Sequence, residues 1–302
     1  MGKTVGIVIL NYNGLTDTLQ LLESIQEKVT SVSYSVIIVD NASDNDEAGR
    51  LEDACDDRAT VLRSPKNCGY AAGNNIGLRY AVDKGFENLC ILNNDTVVTD
   101  DFLRDSIEYL DSHPDVAIVS PAIIDQSGKI QSMGGTYSLI KGNAYFNCVG
   151  ERYEDVVKEE KDCDMVFGAC MVFKASLIDL IGYLPEAYFL FYEETEWCLK
   201  AQKAGKKCVC IATHCLIHKG SATINRLGGL SEYLYERNRV VFAKRNLNGF
   251  QFLCFLVFDF CRLLYQSARY HVPFRQYFRY HLDGLKGRVD PRFPFVWINE
   301  NE

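Results

Sequence analysis

Cys90-Ile91-Leu92-Asn93-Asn94-Asp95-Thr96-Val97-Val98 places a carboxylate where an apolar strand runs out. Three apolar residues enter the polar turn and a β-rich stretch leaves it, so Asp95 sits at a strand's carboxyl end. In an open α/β sheet, ligands bind just outside the carboxyl ends of the strands. An Asp presented there by a short polar turn suits a hard divalent cation that bridges to phosphate oxygens. The same residues also read as a plain turn whose Asn and Asp side chains bond their own backbone. The surroundings of the turn decide between the two.

Working outward, Thr4 to Leu10, Tyr34 to Val39 and Asn88 to Leu92 read as strands, and Thr60 to Arg63 as a short one. Thr16 to Lys28 carries Leu19, Leu22 and Ile25 at helical spacing, and Arg50 to Cys55 is a second helical candidate. Asn67 to Gly73 is a Gly-rich loop leading into a helix through Lys84. Strands alternating with helices indicate βαβ units, hence an α/β fold whose mostly parallel sheet carries helices on both faces. Val116 to Pro121, Met165 to Lys174 and Lys207 to Ile211 add further strands. Ser221 to Gly229 reads as a flexible loop, followed by a helix from about Ser231 to Arg245 and an aromatic tail. The organisation is thus an α/β domain over 1–245 and a helical, aromatic and basic extension over 246–302.

At 302 residues, 47% hydrophobic and 24% charged, the chain can bury a large core. Its net charge of −8 is unevenly spread. Between Arg237 and Arg292 there are 11 Lys and Arg against 3 Asp and Glu, a local net of +8. The remainder holds 21 basic and 37 acidic residues, a net of −16. The basic segment suits an anionic surface such as a membrane face, or is a solvated basic surface. No nucleic-acid partner is expected.

The twelve cysteines do not read as a disulfide framework. Cys90, Cys170, Cys208, Cys210, Cys254 and Cys261 lie in apolar runs, as small buried hydrophobes do. Val5 to Leu10 enters Asn11-Tyr12-Asn13 without a small-residue cleavage site, so a reduced, cytoplasmic setting is expected. Peripheral contact with the inner face of the cytoplasmic membrane is compatible with it. Cys208-x-Cys210 falls in an alternating strand pattern with no paired CxxC, so a zinc site is not expected.

Besides the Asn93-Asn94-Asp95 turn, three polar clusters end strands or open helices. Asn11-Tyr12-Asn13-Gly14 and Asp40-Asn41-Ala42-Ser43-Asp44 offer side-by-side acceptors for a nucleoside base and ribose, or a pair of capping turns. The first turn lacks GxGxxG, which disfavours a dehydrogenase. Asn67-Cys68-Gly69-Tyr70-Ala71-Ala72-Gly73-Asn74-Asn75 combines glycines that admit a ligand close to the backbone with amides at a helix start. Tyr188-Phe189-Leu190-Phe191-Tyr192 leads into Glu193-Glu194-Thr195-Glu196. Acids in a first helical turn favour the helix dipole, and an acid against an aromatic wall also becomes a general base through partial desolvation. His218 follows a strand and opens a loop, where it could complete a metal site.

These clusters, with Gly168-Ala169-Cys170-Met171 and Tyr235-Glu236-Arg237-Asn238, give the chain a close resemblance to family 2 glycosyltransferases of the GT-A fold, in their rhamnosyltransferase-like branch. The resemblance covers Val5 to about Arg245. It implies that Asp40 contacts the nucleotide base, with Asn11, Asn13 and the loop bearing Asn67, Gly69, Tyr70, Gly73 and Asn74 nearby. Asn93, Asn94 and Asp95 match the DxD-type motif. Asp95 would hold Mn²⁺ or Mg²⁺ on the donor diphosphate, joined by His218 as in some members. Glu194 aligns with the catalytic base, usually the Asp of a Glu-Asp pair; here the pair is Glu193-Glu194, and either glutamate is a candidate.

The implied function is an inverting glycosyltransferase in cell-surface polysaccharide synthesis. It would move a sugar from a nucleotide-diphosphate donor, dTDP-rhamnose or a UDP-sugar, to a hydroxyl of a glycan or lipid-linked acceptor. General-base help would supply on the order of 10²–10⁴-fold. A sugar-phosphate nucleotidyltransferase would need a basic phosphate loop, and Asn11 to Thr16 holds no Lys or Arg. A catalytically impaired sugar-nucleotide or glycan-binding protein rests on Asn93 and Glu194, where the family has Asp. A two-carboxylate hydrolase has nothing that positions Asp95 as a nucleophile. In the tail, Phe252 to Tyr265 is apolar except for Asp259 and Arg262, too short to span a bilayer, which needs about 20 apolar residues. Residues 250–292 are therefore expected to meet a membrane interface or a second copy of the chain.

Overall fold

A computed structural model of the chain describes residues 4–220, 229–293 and 296. Of the predicted Ser221 to Gly229 loop, all but Gly229 lies outside the described residues.

β1 (Thr4–Asn11), α1 (Leu15–Lys28), β2 (Ser33–Asp40), α2 (Glu47–Cys55), β3 (Ala59–Arg63), α3 (Gly69–Asp83) and β4 (Asn88–Asn93) follow in order, as the apolar spacing requires. β1 pairs in parallel with β2 on one side and β4 on the other, and β2 continues to β3. The order of the strands therefore reverses at β1, and a crevice opens at the carboxyl ends of β1 and β4. Both faces are covered. Val5, Ile7, Ile9, Cys90 and Leu92 pack towards Leu21, Leu22 and Ile25 of α1. The alternate residues Val8, Leu89 and Ile91 pack with Ala71, Leu78 and Ala81 of α3.

Next come β5 (Thr96–Val98), α4 (Phe102–Ser112), β6 (Val116–Ile124), β7 (Ile130–Ser132), the hairpin β8 (Gly135–Ser138) and β9 (Asn143–Phe146), β10 (Glu160–Cys163), β11 (Cys170–Lys174), α5 (Ser176–Ile181), α6 (Glu193–Lys203) and β12 (Lys207–His218). The main sheet runs β10-β12-β6-β11-β4-β1-β2-β3, with β5 on β12 and β7 on β6. β6 and β12 are parallel, whereas β11 is antiparallel to both neighbours. The expected α/β architecture stands, with β11 inserted antiparallel and the edge strand β10 antiparallel to β12.

Three boundaries differ from the sequence reading, each for a local reason. The Gly-rich segment is helical from Gly69, because its glycines serve close packing: a Cβ on Gly73 would lie 2.5 Å from Leu10 Cδ1. The strand expected over Met165 to Lys174 starts at Cys170, and Phe167 to Ala169 form a turn. β12 runs on past Ile211 to His218 through a bulge, where Pro121 of β6, without an N–H, pairs with Ile211.

Three helices close the chain: α7 (Gly229–Asn246), α8 (Gly249–Tyr270) and α9 (Phe274–Lys286). Asn248 caps α8 in a reciprocal box with Gln251. Gly284 lets α9 approach α7 closely, since a Cβ there would lie 2.5 Å from the Arg237 carbonyl oxygen.

Candidate active site

The topology delivers three segments to one crevice. β4 ends at Asn93, and the antiparallel β11 brings the Phe167-Gly168-Ala169 turn beside it, with the Asn93 N–H donating to the Ala169 carbonyl at 3.0 Å. β12 pairs antiparallel with β5, which sets His218 opposite Thr96. The start of α6 supplies Glu193 and Glu194. Together they border a cavity of about 220 Å³.

Asn67, Gly69, Tyr70, Asn93, Asn94, Asp95, Glu193, Glu194 and His218 all line that cavity. Asn11, Asn13, Asp40, Gly73 and Asn74 do not. Asp40 is only 3% exposed; its carboxylate accepts from Asn11 Nδ2 at 2.9 Å and the Ser43 N–H at 3.1 Å. Asn13 bonds Asp44 and Ser43 across the turn, and Asn74 Nδ2 donates to the Tyr70 carbonyl. The neighbours Tyr12 and Asn41 take the places on the cavity wall. Asn41 knits the loop together, accepting from the Cys68 N–H at 3.1 Å and donating to Asn67 Oδ1 at 2.9 Å. Both lie within the motifs quoted above, each one residue past Asn11 or Asp40.

Asp95 Oδ1 and His218 Nε2 face each other at 3.3 Å. The other imidazole nitrogen, Nδ1, lies 2.7 Å from Gln131 Oε1, an acceptor, so it carries the proton. Nε2 is then left with its lone pair towards a carboxylate, an arrangement that calls for a cation or a second proton between them. Adjacent ligands of an octahedral cation at about 2.1 Å sit about 3 Å apart, so this pair fits one edge of such a site. Among the described residues no group of three or more His, Cys, Asp and Glu side chains could hold a metal. Two protein donors leave the other positions to ligand oxygens and water. Burial by itself would raise the Asp95 carboxyl; the hydrogen bond and charge of His218, with Lys219, outweigh it and hold it below the usual range. Gln131 carried no signal in the sequence. Asn94 spends its amide on Thr18 Oγ1 of α1, 3.1 Å away.

The three acids of α6 have different fates. Glu196 is buried and clamped by Arg245 at 2.9–3.2 Å, by Asn246 Nδ2 at 3.1 Å and by the Tyr188 hydroxyl. Burial pushes its pKa up, and Arg245 more than reverses this. Glu193 is 3% exposed and its Oε2 has no hydrogen-bond partner. Burial, and then the charge of Glu194, raise its carboxyl well above the glutamate range. Glu194 stands half-buried at the cavity near Gly168, also raised by burial. Tyr70 closes this side, its hydroxyl donating to the Gly168 carbonyl at 2.5 Å.

The loop before α6 is wound into the left-handed region at three side-chain-bearing residues: Phe189 (φ 75°), Phe191 (72°) and Tyr192 (78°). Such backbone persists only where its surroundings over-determine it, and it concentrates at ligand sites. Here the Phe189 carbonyl accepts from the Tyr70 N–H at 2.7 Å, and the loop carbonyls are held from α7. The aromatic run drew notice in the sequence; its backbone did not.

Comparison with known proteins places the assembly. A hexosyltransferase of low-salt glycan biosynthesis from Haloferax volcanii, Agl10, is 28% identical over 203 residues, 66% of this chain and 62% of that protein. The dTDP-rhamnosyl transferase RfbF of Shigella flexneri is 26% identical over 209 residues, 68% of this chain and 65% of that protein. The chain thus spans just under two thirds of the length of these relatives. The mannosyltransferase PcManGT from Pyrobaculum calidifontis, solved with GDP-Man and Mn²⁺, superposes with a TM-score of 0.56 at 13% identity, covering 94% of this chain and 84% of that one. That likeness speaks for the GT-A fold alone. The profile of glycosyl transferase family 2 matches residues 6–181, more than half of the sequence, and the chain belongs to that family.

Proposed function

We propose that this glycosyltransferase moves a sugar, with inversion, from a nucleotide-diphosphate donor to a hydroxyl of a glycan or lipid-linked acceptor in surface-polysaccharide synthesis. One observation carries the reading: the Asp95–His218 pair and the Glu193–Glu194 pair line the same cavity. Tyr12, Asn41 and Asn67 would receive the nucleoside at its β1 end. dTDP-rhamnose and UDP-hexoses are the donors to try first, in keeping with relatives named as rhamnosyl and hexosyl transferases.

Asp95 and His218 would hold Mn²⁺ or Mg²⁺, which when bound supplies positive charge to the departing diphosphate. The use of Mn²⁺ in a structure of the same fold agrees with this. Glu194 removes the acceptor proton as the hydroxyl oxygen attacks the anomeric carbon from the face opposite the leaving group. Both glutamates line the cavity, and its greater exposure favours Glu194 over Glu193, which is 3% exposed. Burial raises both carboxyls, and the charge of Glu194 adds to the rise at Glu193. Phe167, Phe189 and Phe191 keep water from the reacting centre.

The experiment is a screen of nucleotide sugars for acceptor-dependent release of nucleoside diphosphate, with Mn²⁺, Mg²⁺ or chelator, followed by NMR of the glycosidic product. Release with one donor and a product of inverted configuration is expected. A product of retained configuration contradicts the single displacement.

A further inference from the structure

α8 is amphipathic in the reverse sense. Two of its three charged residues, Asp259 and Arg262, point inward: Asp259, 3% exposed, lies 2.6 Å from Arg239 Nη1 and 2.8 Å from His281 Nδ1. Arg262 reaches Glu236 at 2.5 Å. Up to Tyr265 the exposed side chains of α8 are largely apolar. Phe250, Leu253, Val257, Phe260 and Leu264, all exposed and Phe250 to 77%, recur at three- and four-residue spacing along one face, with exposed Tyr265 beside Leu264. That stripe is about 22 Å long at 1.5 Å per residue. It continues onto α9, where Phe260 meets the Phe274 ring edge-on at 6.1 Å and Phe274 stacks on Phe278 at 5.8 Å. A contiguous exposed apolar stripe of this kind marks a contact surface.

Charge says what covers it. Every exposed charged side chain on α8 and α9 is cationic: Arg269, Arg275, Arg279 and Lys286. Of the two acids on these helices, Asp259 is buried and Asp283 half-buried. Two of these cations border the apolar surface, the Arg269 guanidinium 5.5 Å from the Tyr270 ring and Arg275 one helical turn from Phe278. A twofold pairing of the stripe with itself would set these cations against one another. An anionic bilayer satisfies both features at once, taking the apolar residues among its acyl chains and the arginines among its headgroups. Contrary to the expectation from Phe252 to Tyr265 alone, α8 runs for 22 residues, Gly249–Tyr270, and by length and composition is sufficient to cross a membrane. Insertion across it would pull Asp259 and Arg262 from their partners on α7 and α9, so the helix lies in the interface.

We propose that α8 and the start of α9 dock this protein on an anionic lipid surface. The inference stands independently of the donor and of the catalytic roles above. Flotation of the full chain with vesicles of phosphatidylcholine and phosphatidylglycerol, against phosphatidylcholine alone, tests it. Binding to the anionic vesicles, weakened by salt, is expected. Val257→Asp/Leu264→Asp, and separately Arg269→Glu/Arg275→Glu, should each lower partitioning by about tenfold or more with the thermal midpoint kept. Equal binding to neutral vesicles, no binding to either, or retention in both variants overturns the proposal. So does a dimer in light scattering that Val257→Asp/Leu264→Asp splits into monomers.

Discussion

Asn238, buried on α7, donates through Nδ2 to the Leu190 carbonyl at 2.7 Å, and the same amide reaches the carbonyls of Tyr188 and Phe191. Its Oδ1 in turn accepts from Arg237 Nη1 at 2.5 Å, and Arg237 Nε donates to the Arg288 carbonyl. One side chain thus joins the C-terminal helices to the strained loop that aims Glu193 and Glu194. Each left-handed residue of that loop costs of order 1–3 kcal/mol, and the clamp helps offset the cost.

Replacing Asn238 by Ala is expected to lower stability by about 1–3 kcal/mol, the penalty of orphaned buried carbonyls. It should lower kcat more than donor affinity, because the loop relaxes away from the acceptor side while the Asp95 side is untouched. Calorimetric unfolding and steady-state kinetics check this; an unchanged kcat would remove the loop from the catalytic step.

Gly69 carries the opposite end of the same junction. Its φ is +79°, and a Cβ would lie 2.2 Å from the Phe189 carbonyl oxygen. Gly69→Ala is expected to destabilise by about 1–3 kcal/mol through strain and clash, whereas Gly85→Ala, also at φ +79° but in open space, meets the strain alone. Equal losses in the two variants would show that the approach to Phe189 is not tight.

Glu193 gives a pH signature. Its folded-state pKa is raised, so the stability it contributes is full below the unfolded glutamate pKa and is lost as pH rises through the folded value. Glu193→Gln should match the wild type near pH 4 and exceed it near pH 8, by about 2–4 °C in Tm for each kcal/mol recovered. A difference that grows as pH falls would mean the carboxylate is stabilised in the fold.

The buried cluster of Glu236, Arg239, Asp259, Arg262 and His281 ties α7, α8 and α9 together. Removing one charge leaves the others unpaired, and Glu236→Gln is expected to cost about 3–5 kcal/mol. Burial lowers the His281 pKa, but Asp259 and Glu236 raise it further, leaving it above the usual histidine value. Its contribution is present below the unfolded histidine pKa and fades as pH rises through the folded one. Thermal midpoints across pH 6 to 9 check both statements.

Much of this was legible in the chain because it is written in local patterns. Alternating apolar runs gave β1 to β4 and the helices between them, and polar residues at strand ends and at a helix start put Asp95, His218 and Glu194 forward as candidates. What escaped notice depends on contacts between distant segments. Gln131 reaches His218 from β7, 87 residues away in sequence. Tyr12 and Asn41, one residue past the ends of β1 and β2, line the cavity, while Asn11 and Asp40 bond each other. Asp259 and Arg262 broke an apolar run in the sequence, and only the packing of α7 and α9 reveals that they are its inward face.

The most direct test is donor binding set beside transfer in Glu194→Gln and Asp95→Asn, by calorimetric titration with and without Mn²⁺ and by product formation. Glu194→Gln should bind the donor as the wild type does yet lose transfer by about 10²-fold or more, while Asp95→Asn should lose the metal-dependent part of donor binding. Transfer that survives in Glu194→Gln, or donor binding indifferent to Asp95, would contradict the division of the cavity into a donor side and a base side.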